Sequence, residues 1–324
     1  MKDSNRTRRN LYLVIGPCLL ISSIYLLPQT IFSELSARAA IGTVMWMAFW
    51  WVSAPIDYAV TAFLPIAVNA FLQMVDMESV IANYASETII LLLGASILTV
   101  SWEQTGLDKR IAIRFLNLIG SSLKKQIVFW FLISALLSAV LPNAVVCATI
   151  TPIAVSMLNY IGEKDVANSK IASKILLTIA YAAGVGGLAT PLGGAMNLVV
   201  VDYIQQLTGR EYMYAEWVWK FLPIMLVLLV SNILFLTRDI GRDENLGKTK
   251  EYFAGELKKM PPMCIEETLS LGLFIIATIL SFTRQLYQSQ LPGLKPAYIF
   301  IVCAILSFLI VDRSGKRLLV WKSV

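Results

Sequence analysis

GVGGLATPLGGAMN, residues 184–197, sets five glycines and one proline among fourteen positions, in the middle of an apolar run that extends from 171 to 208. Glycine is roughly 1 kcal/mol and proline about 3 kcal/mol worse than alanine inside a helix, so no helix persists through this stretch. Unwound backbone at membrane depth must be buried in protein or line a watery cavity. A second interrupted run lies upstream, from Ile127 to Ile161. As one helix its 35 residues would reach about 52 Å at about 1.5 Å each, too long for a single span. Pro142-Asn143 divides it into arms of about 15 and 18 residues, because proline removes a backbone donor and breaks the helix locally. Arms this short form a re-entrant hairpin or two tight spans.

Composition places these breaks in a membrane. Apolar residues make up 57% and charged residues 15% of the 324, and the mean hydropathy is +0.69. Soluble domains carry about 25% charged residues. A spanning helix needs roughly 20 apolar residues, and such segments recur at about 11–31, 37–53, 56–75, 86–102, 217–237, 267–287 and 296–312. Counting 171–208 as one broken crossing and 127–161 as a hairpin gives an all-α polytopic protein with about eight transmembrane helices plus one re-entrant helical hairpin. The basic start before Leu11 is not followed by a small-residue cleavage site, so the first run reads as a retained helix and not a signal peptide.

The charges support that layout. With the basic N-terminus, 1–10, inside, 22 of the 27 Lys and Arg fall on one side and five on the other, namely Arg38, Arg210, Lys220, Arg284 and Lys295. If 171–208 crossed twice, the split would weaken to 16 and 11. The positive-inside rule therefore favours a cytoplasmic N-terminus and a single broken crossing. It also accounts for the basic balance, which needs no nucleic-acid partner. The chain has no histidine, and its cysteines, Cys18, Cys147, Cys264 and Cys303, form no CxxC pair. Zinc sites, disulfide frameworks and histidine acid–base chemistry are thus unsupported, and no nucleophile–base pair marks an enzyme or a cofactor site.

Paired breaks are the feature that points to a transport site. Freed N–H groups and positive helix ends at mid-membrane suit an anion, and unwound carbonyls suit a small cation such as sodium. The candidates at the hairpin tip are Ser138, Asn143 and the backbone around Pro142; in the second break they are Gly186, Gly187, Thr190, Gly193, Gly194 and Asn197. Small and polar residues in membrane helices often serve only packing. Two polar breaks flanked by long apolar arms tip the balance toward a site. Asp57, Glu87, Glu103 and Asp202 all fall near span ends, which disfavours a proton pump.

Three stretches carry a family resemblance: NYASETIILLLGASILTVSWEQTGLDKRIAIRFL (83–116), SAVLPNAVVCATITPIAVSML (138–158) and YAAGVGGLATPLGGAMNLVV (181–200). In order and spacing the chain resembles the divalent anion:sodium symporters, which carry sulfate and di- or tricarboxylates. The resemblance implies the first part of an inverted-repeat fold working by an elevator motion. It divides the chain into scaffold helices 11–102, an interfacial arm 103–125, a transport-domain half 126–237, a cytoplasmic loop 238–264, further scaffold helices 265–313 and a cytoplasmic tail 314–324. By position it puts Asn143, Ala144, Thr190 and Asn197 at the substrate and Ser138, Asn143, Gly186, Gly187 and Gly193 at a coupling sodium, with no other metal. It implies a multi-pass protein of the plasma (cell inner) membrane, a homodimer, or a second chain supplying the C-terminal repeat that is not seen before residue 324. The family's tip reads Ser-Asn-Thr where this one has Pro142-Asn143-Ala144, and its small-Pro-Pro-Asn loop is here Gly194-Ala195-Met196-Asn197. An arsenite or proton-linked permease of the same superfamily, and a non-transporting truncated relative, are the alternatives.

Overall fold

The computed structural model describes residues 2–241, 246–311, 315, 317 and 319–323. Residues 242–245 of the expected 238–264 loop lie outside the described residues, as do 312–314, 316, 318 and 324 near and within the expected tail. Among the described residues the chain is helical, and an isolated antiparallel bridge pairs Val311 with Arg317. It divides into two compact units, Met1–Ser86 and Glu87–Val324.

The first unit contains α1 (Lys2–Leu26), α2 (Leu35–Ser53), α3 (Tyr58–Thr61), α4 (Leu64–Leu72) and α5 (Met77–Asn83). α1 and α2 pack as an antiparallel pair tied by polar bonds at their ends. Arg38 Nη1 donates to Ile24 O at 2.9 Å, a cation on the carbonyl end of α1, and Ser23 Oγ donates to Arg38 O at 2.6 Å. At the other end Trp50 Nε1 donates to Tyr12 O at 3.0 Å. The run 56–75, expected as one span, is two short helices. Asp57 caps α3, accepting from Ala59 N at 2.8 Å, and Pro65 in the first turn of α4 starts a new helix where it could not continue the old one.

The second unit contains α6 (Glu87–Thr105), α7 (Leu107–Leu116), α8 (Leu123–Ser138), α9 (Asn143–Ile161), α10 (Lys170–Gly186), α11 (Ala195–Thr208), α12 (Tyr214–Thr237), α13 (Thr249–Lys259), α14 (Ile265–Phe282), α15 (Arg284–Tyr287) and α16 (Pro296–Leu309). Among the described residues of the two units, five helical stretches are long and apolar enough to cross a membrane, including Arg8–Leu26, Asn143–Ile161, Tyr214–Thr237 and Ile265–Phe282. The chain is an all-α, multi-pass membrane protein.

Within this unit α6 packs on α14 and α16, with Trp102 and Phe300 both against the Phe274 ring, centroids 5.1 and 6.0 Å away. α8, α9, α10 and α12 pack on one another. The polar segment 238–264 holds a helix that the sequence reading left out, α13. It is docked by tertiary contacts: Phe253 is fully buried against Trp130, and Gln126 Nε2 donates to Thr249 Oγ1 at 2.9 Å.

Two buried polar joints fix the arm helix α7. Asp108 Oδ2 accepts from Thr149 Oγ1 of α9 at 2.6 Å. On the other side of α7, Arg110 Nε meets Glu267 Oε1 at 2.7 Å while Arg110 Nη1 donates to Pro261 O at 2.7 Å. Glu267 is also the third residue of a capping box, its Oε2 accepting from Cys264 N at 2.9 Å, so one carboxylate both starts α14 and holds the arm.

Candidate functional site

The two breaks meet. α8 ends at Ser138, four residues cross the tip, and α9 starts at Asn143 directly after Pro142. Proline suits that place because its fixed φ feeds a helix start and its missing N–H is not needed there. α10 ends at Gly186; a short 3-10 turn, Pro191–Gly193, follows, and α11 starts at Ala195. The regular helical ladder lapses across 139–142 and 187–194, where Ala139, Leu141 and Gly187 still donate back into the preceding helix but carbonyls are left that need donors.

Side chains supply them. Thr190 Oγ1 donates to Ala139 O at 2.5 Å across the two breaks and accepts from Gly193 N at 3.3 Å. Asn197 Nδ2 uses both its hydrogens on the break behind it, donating to Gly187 O at 2.7 Å and Thr190 O at 2.9 Å. Ser138 Oγ gives its one proton to Ala183 O at 2.6 Å. The Asn143 amide atom beside it faces Ser138 Oγ at 2.6 Å, Gly193 O at 2.8 Å and Ala183 O at 3.1 Å. All three are acceptors once the serine proton is spent, so that atom must be the nitrogen. Outside the breaks, Trp217 Nε1 of α12 donates to Leu188 O at 3.0 Å.

The glycines let these backbones close up. A Cβ at Gly193 would lie 2.5 Å from Gly187 O and 2.6 Å from Ser138 O, and one at Gly187 would lie 2.6 Å from the Asn143 side chain. Only glycine fits that approach. Gly186 lies elsewhere, against the Ala135 backbone of α8, where it sets helix packing.

What remains open is a set of donors. The first-turn N–H groups of α9, at Asn143, Ala144 and Val145, have no acceptor among the described residues, nor do those of Ala195 and Met196 at the start of α11. Helix starts leave such groups free, and together with the helix dipole they make a ready seat for an anion. Ala144 and Met196 are exposed and Asn143 is half-buried, whereas Ser138, Thr190 and Asn197 are buried. The structure therefore brings Ser138, Asn143, Gly187, Thr190, Gly193 and Asn197 into one network, with Ala144 at its open edge. The backbone acceptors Ala139 and Ala183, and Trp217, belong to the same network and were not singled out from sequence. The only signal for Trp217 is an indole with a polar handle in the first turn of a span.

Residues 48–319 match the family model CitMHS, described as citrate transporter. The sodium-dependent dicarboxylate transporter SdcS of Staphylococcus aureus strain NCTC 8325 / PS 47 is 26% identical over 317 residues, covering 94% of this chain and 61% of the relative. SdcS of strain MW2 matches with the same identity and coverage. The chain thus spans about three-fifths of the length of the curated relatives it matches.

Proposed function

Since the chain belongs to the citrate transporter family, matched over residues 48–319, we propose that it works in secondary active transport of small anions, coupled to sodium. The similar SdcS proteins are described as sodium-dependent dicarboxylate transporters, which favours di- or tricarboxylates as the substrate class. The observation that carries the reading is the meeting of two broken helices whose starts, at Asn143 and Ala195, hold unpaired N–H groups. A carboxylate seated there takes hydrogen bonds from Ala144 and the Asn143 backbone, under the positive ends of α9 and α11.

In this proposal Asn143, Ala144, Thr190 and Asn197 face the substrate, and Ser138, Asn143, Gly187 and Gly193 form the cation side. Asn197 Oδ1 accepts no hydrogen bond among the described residues and is the side-chain oxygen free to face a cation. Thr190 and Ser138 act mainly by holding the breaks in register, and Gly186 by setting the approach of α10 to α8. Residues 126–237 form the moving half and 11–102 with 265–313 the scaffold. The mutual packing of α8, α9, α10 and α12, and of α6, α14 and α16, supports that division. The excess of basic residues on one side, beginning with the N-terminus, supports a cytoplasmic position for that face.

The test is uptake of labelled succinate, citrate and sulfate into vesicles containing this chain, with and without an inward sodium gradient. Sodium-dependent uptake is expected, lowered about tenfold or more by Asn143→Ala, which keeps the backbone N–H but leaves Gly193 O and Ala183 O unmet at the tip and so disturbs the seat. Uptake that follows a proton gradient and ignores sodium would overturn the coupling and favour the proton-linked alternative. No uptake by protein shown to be folded in the membrane would overturn the transport reading for this chain.

A further inference from the structure

We propose that a groove between the start of α8 and the end of α12 binds the headgroup of an anionic phospholipid, with an acyl chain lying on its apolar wall. The groove, about 220 Å³, is lined by Lys124, Lys125, Val128, Phe129 and Thr237. Its position places it at a membrane surface. α12 is 24 residues long, about 36 Å as a helix and enough to cross the roughly 30 Å hydrocarbon core, so Thr237 lies at the core's boundary. Leu234 and Phe235, in the last turns of α12, are 64% and 74% exposed and line the path of a neighbouring acyl chain.

The charge of the groove is one-sided. Lys124 and Lys125 form no ion pair among the described residues, and the first turn of α8 contains no acidic residue. The N-cap, Ser122, makes no side-chain cap, and the N–H groups of Lys124 and Lys125 are without acceptors among the described residues. Arg238, exposed at the end of α12, adds a third cation, and Asp239 beside it is exposed as well. A phosphodiester satisfies both the ammonium groups and the free N–H groups. The wall below them is apolar: Val128 lines it, and Phe129 packs at a tilt against Phe115, ring centroids 5.6 Å apart. A soluble acidic partner would use the lysines and leave this wall idle, whereas a phospholipid uses both. Basic pockets between membrane helices commonly hold anionic headgroups. The inference rests on the chain crossing a membrane and is independent of what it transports.

The test uses the whole chain in phosphatidylcholine vesicles with a trace of spin-labelled phosphatidylglycerol or spin-labelled phosphatidylcholine, reading the motionally restricted fraction. The wild type is expected to prefer phosphatidylglycerol, and the preference to weaken as salt is raised. Lys124→Gln with Lys125→Gln is expected to lower relative association about thirtyfold, the combined effect of two basic groups at a membrane surface. Lys124→Arg with Lys125→Arg should retain it. Val128→Trp, which fills the groove and leaves both lysines, should also lower it, and this separates a groove from a diffuse field. Lys258→Gln with Lys259→Gln removes equal charge at the end of α13 and should have little effect. Undiminished preference in the Lys124/Lys125 glutamine variant, or an equal loss in both glutamine pairs, would overturn the proposal, as would retention by a folded Val128→Trp protein.

Discussion

Arg110 Nε and Glu267 Oε1 lie 2.7 Å apart, joining residues 157 positions distant in the chain, and both side chains are less than a tenth exposed. Removing one partner leaves the other charge buried and unpaired, an effect of about 3–5 kcal/mol. Arg110→Ala and Glu267→Gln are each expected to lower the unfolding temperature strongly. Arg110→Met with Glu267→Leu should lose less than either single change, although it gives up the capping box at Cys264. Thermal unfolding of the four proteins in one detergent checks this, and a double variant less stable than both singles would contradict it.

Thr190 joins the two breaks by one hydroxyl. Thr190→Val keeps the shape and leaves Ala139 O unmet, while Gly193 N keeps only its bond to Thr190 O at 3.3 Å, which is expected to destabilise by about 1–3 kcal/mol. Thr190→Ser restores the donor and should stay close to the parent. Equal melting temperatures for the valine and serine variants would mean that the bond does no work.

Gly184 and Gly193 belong to one glycine-rich run but have different surroundings. A methyl group at Gly193 runs into the Gly187 and Ser138 carbonyls, whereas one at Gly184 meets nothing within 4 Å. Gly193→Ala is therefore expected to destabilise by about 1–3 kcal/mol. Gly184→Ala, inside α10, should stabilise by roughly 0.5–1 kcal/mol in the same assay. Matching signs in the two variants would refute the close approach.

The orientation of Asn143 is testable by charge. Asp at this position presents an oxygen to Ser138 Oγ, Gly193 O and Ala183 O, where only a donor fits. Asn143→Asp should be less stable than Asn143→Ala, which leaves carbonyls unmet without adding repulsion. Thermal unfolding at pH 8 distinguishes the two, and an Asp variant as stable as wild type would require the opposite amide orientation.

Both breaks are legible in sequence because proline and glycine act locally. Pro142-Asn143 becomes the start of α9, and the glycine-rich run becomes the unwound stretch between α10 and α11. The pairing of the breaks is not legible, since Ser138 reaches Ala183 and Ala139 receives Thr190 over separations of 45 and 51 residues. Bonds from side chain to backbone at that distance leave no periodic trace. α13 escapes notice for a related reason: its burial rests largely on Tyr252 and Phe253 in a charged segment, and packing against Trp130 decides it. Pro65 was visible, but an apolar run on both sides of it reads as one span until the turn is seen.

Three of the carbonyls in the breaks precede their donors in the order of synthesis. Ala139 O waits for Thr190, and the carbonyls of Gly187 and Thr190 wait for Asn197. In hydrocarbon each unmet carbonyl costs several kcal/mol. The nascent hairpin thus has no stable resting place in lipid until α11 has left the ribosome, so α8 through α11 must enter the bilayer as one package, not span by span.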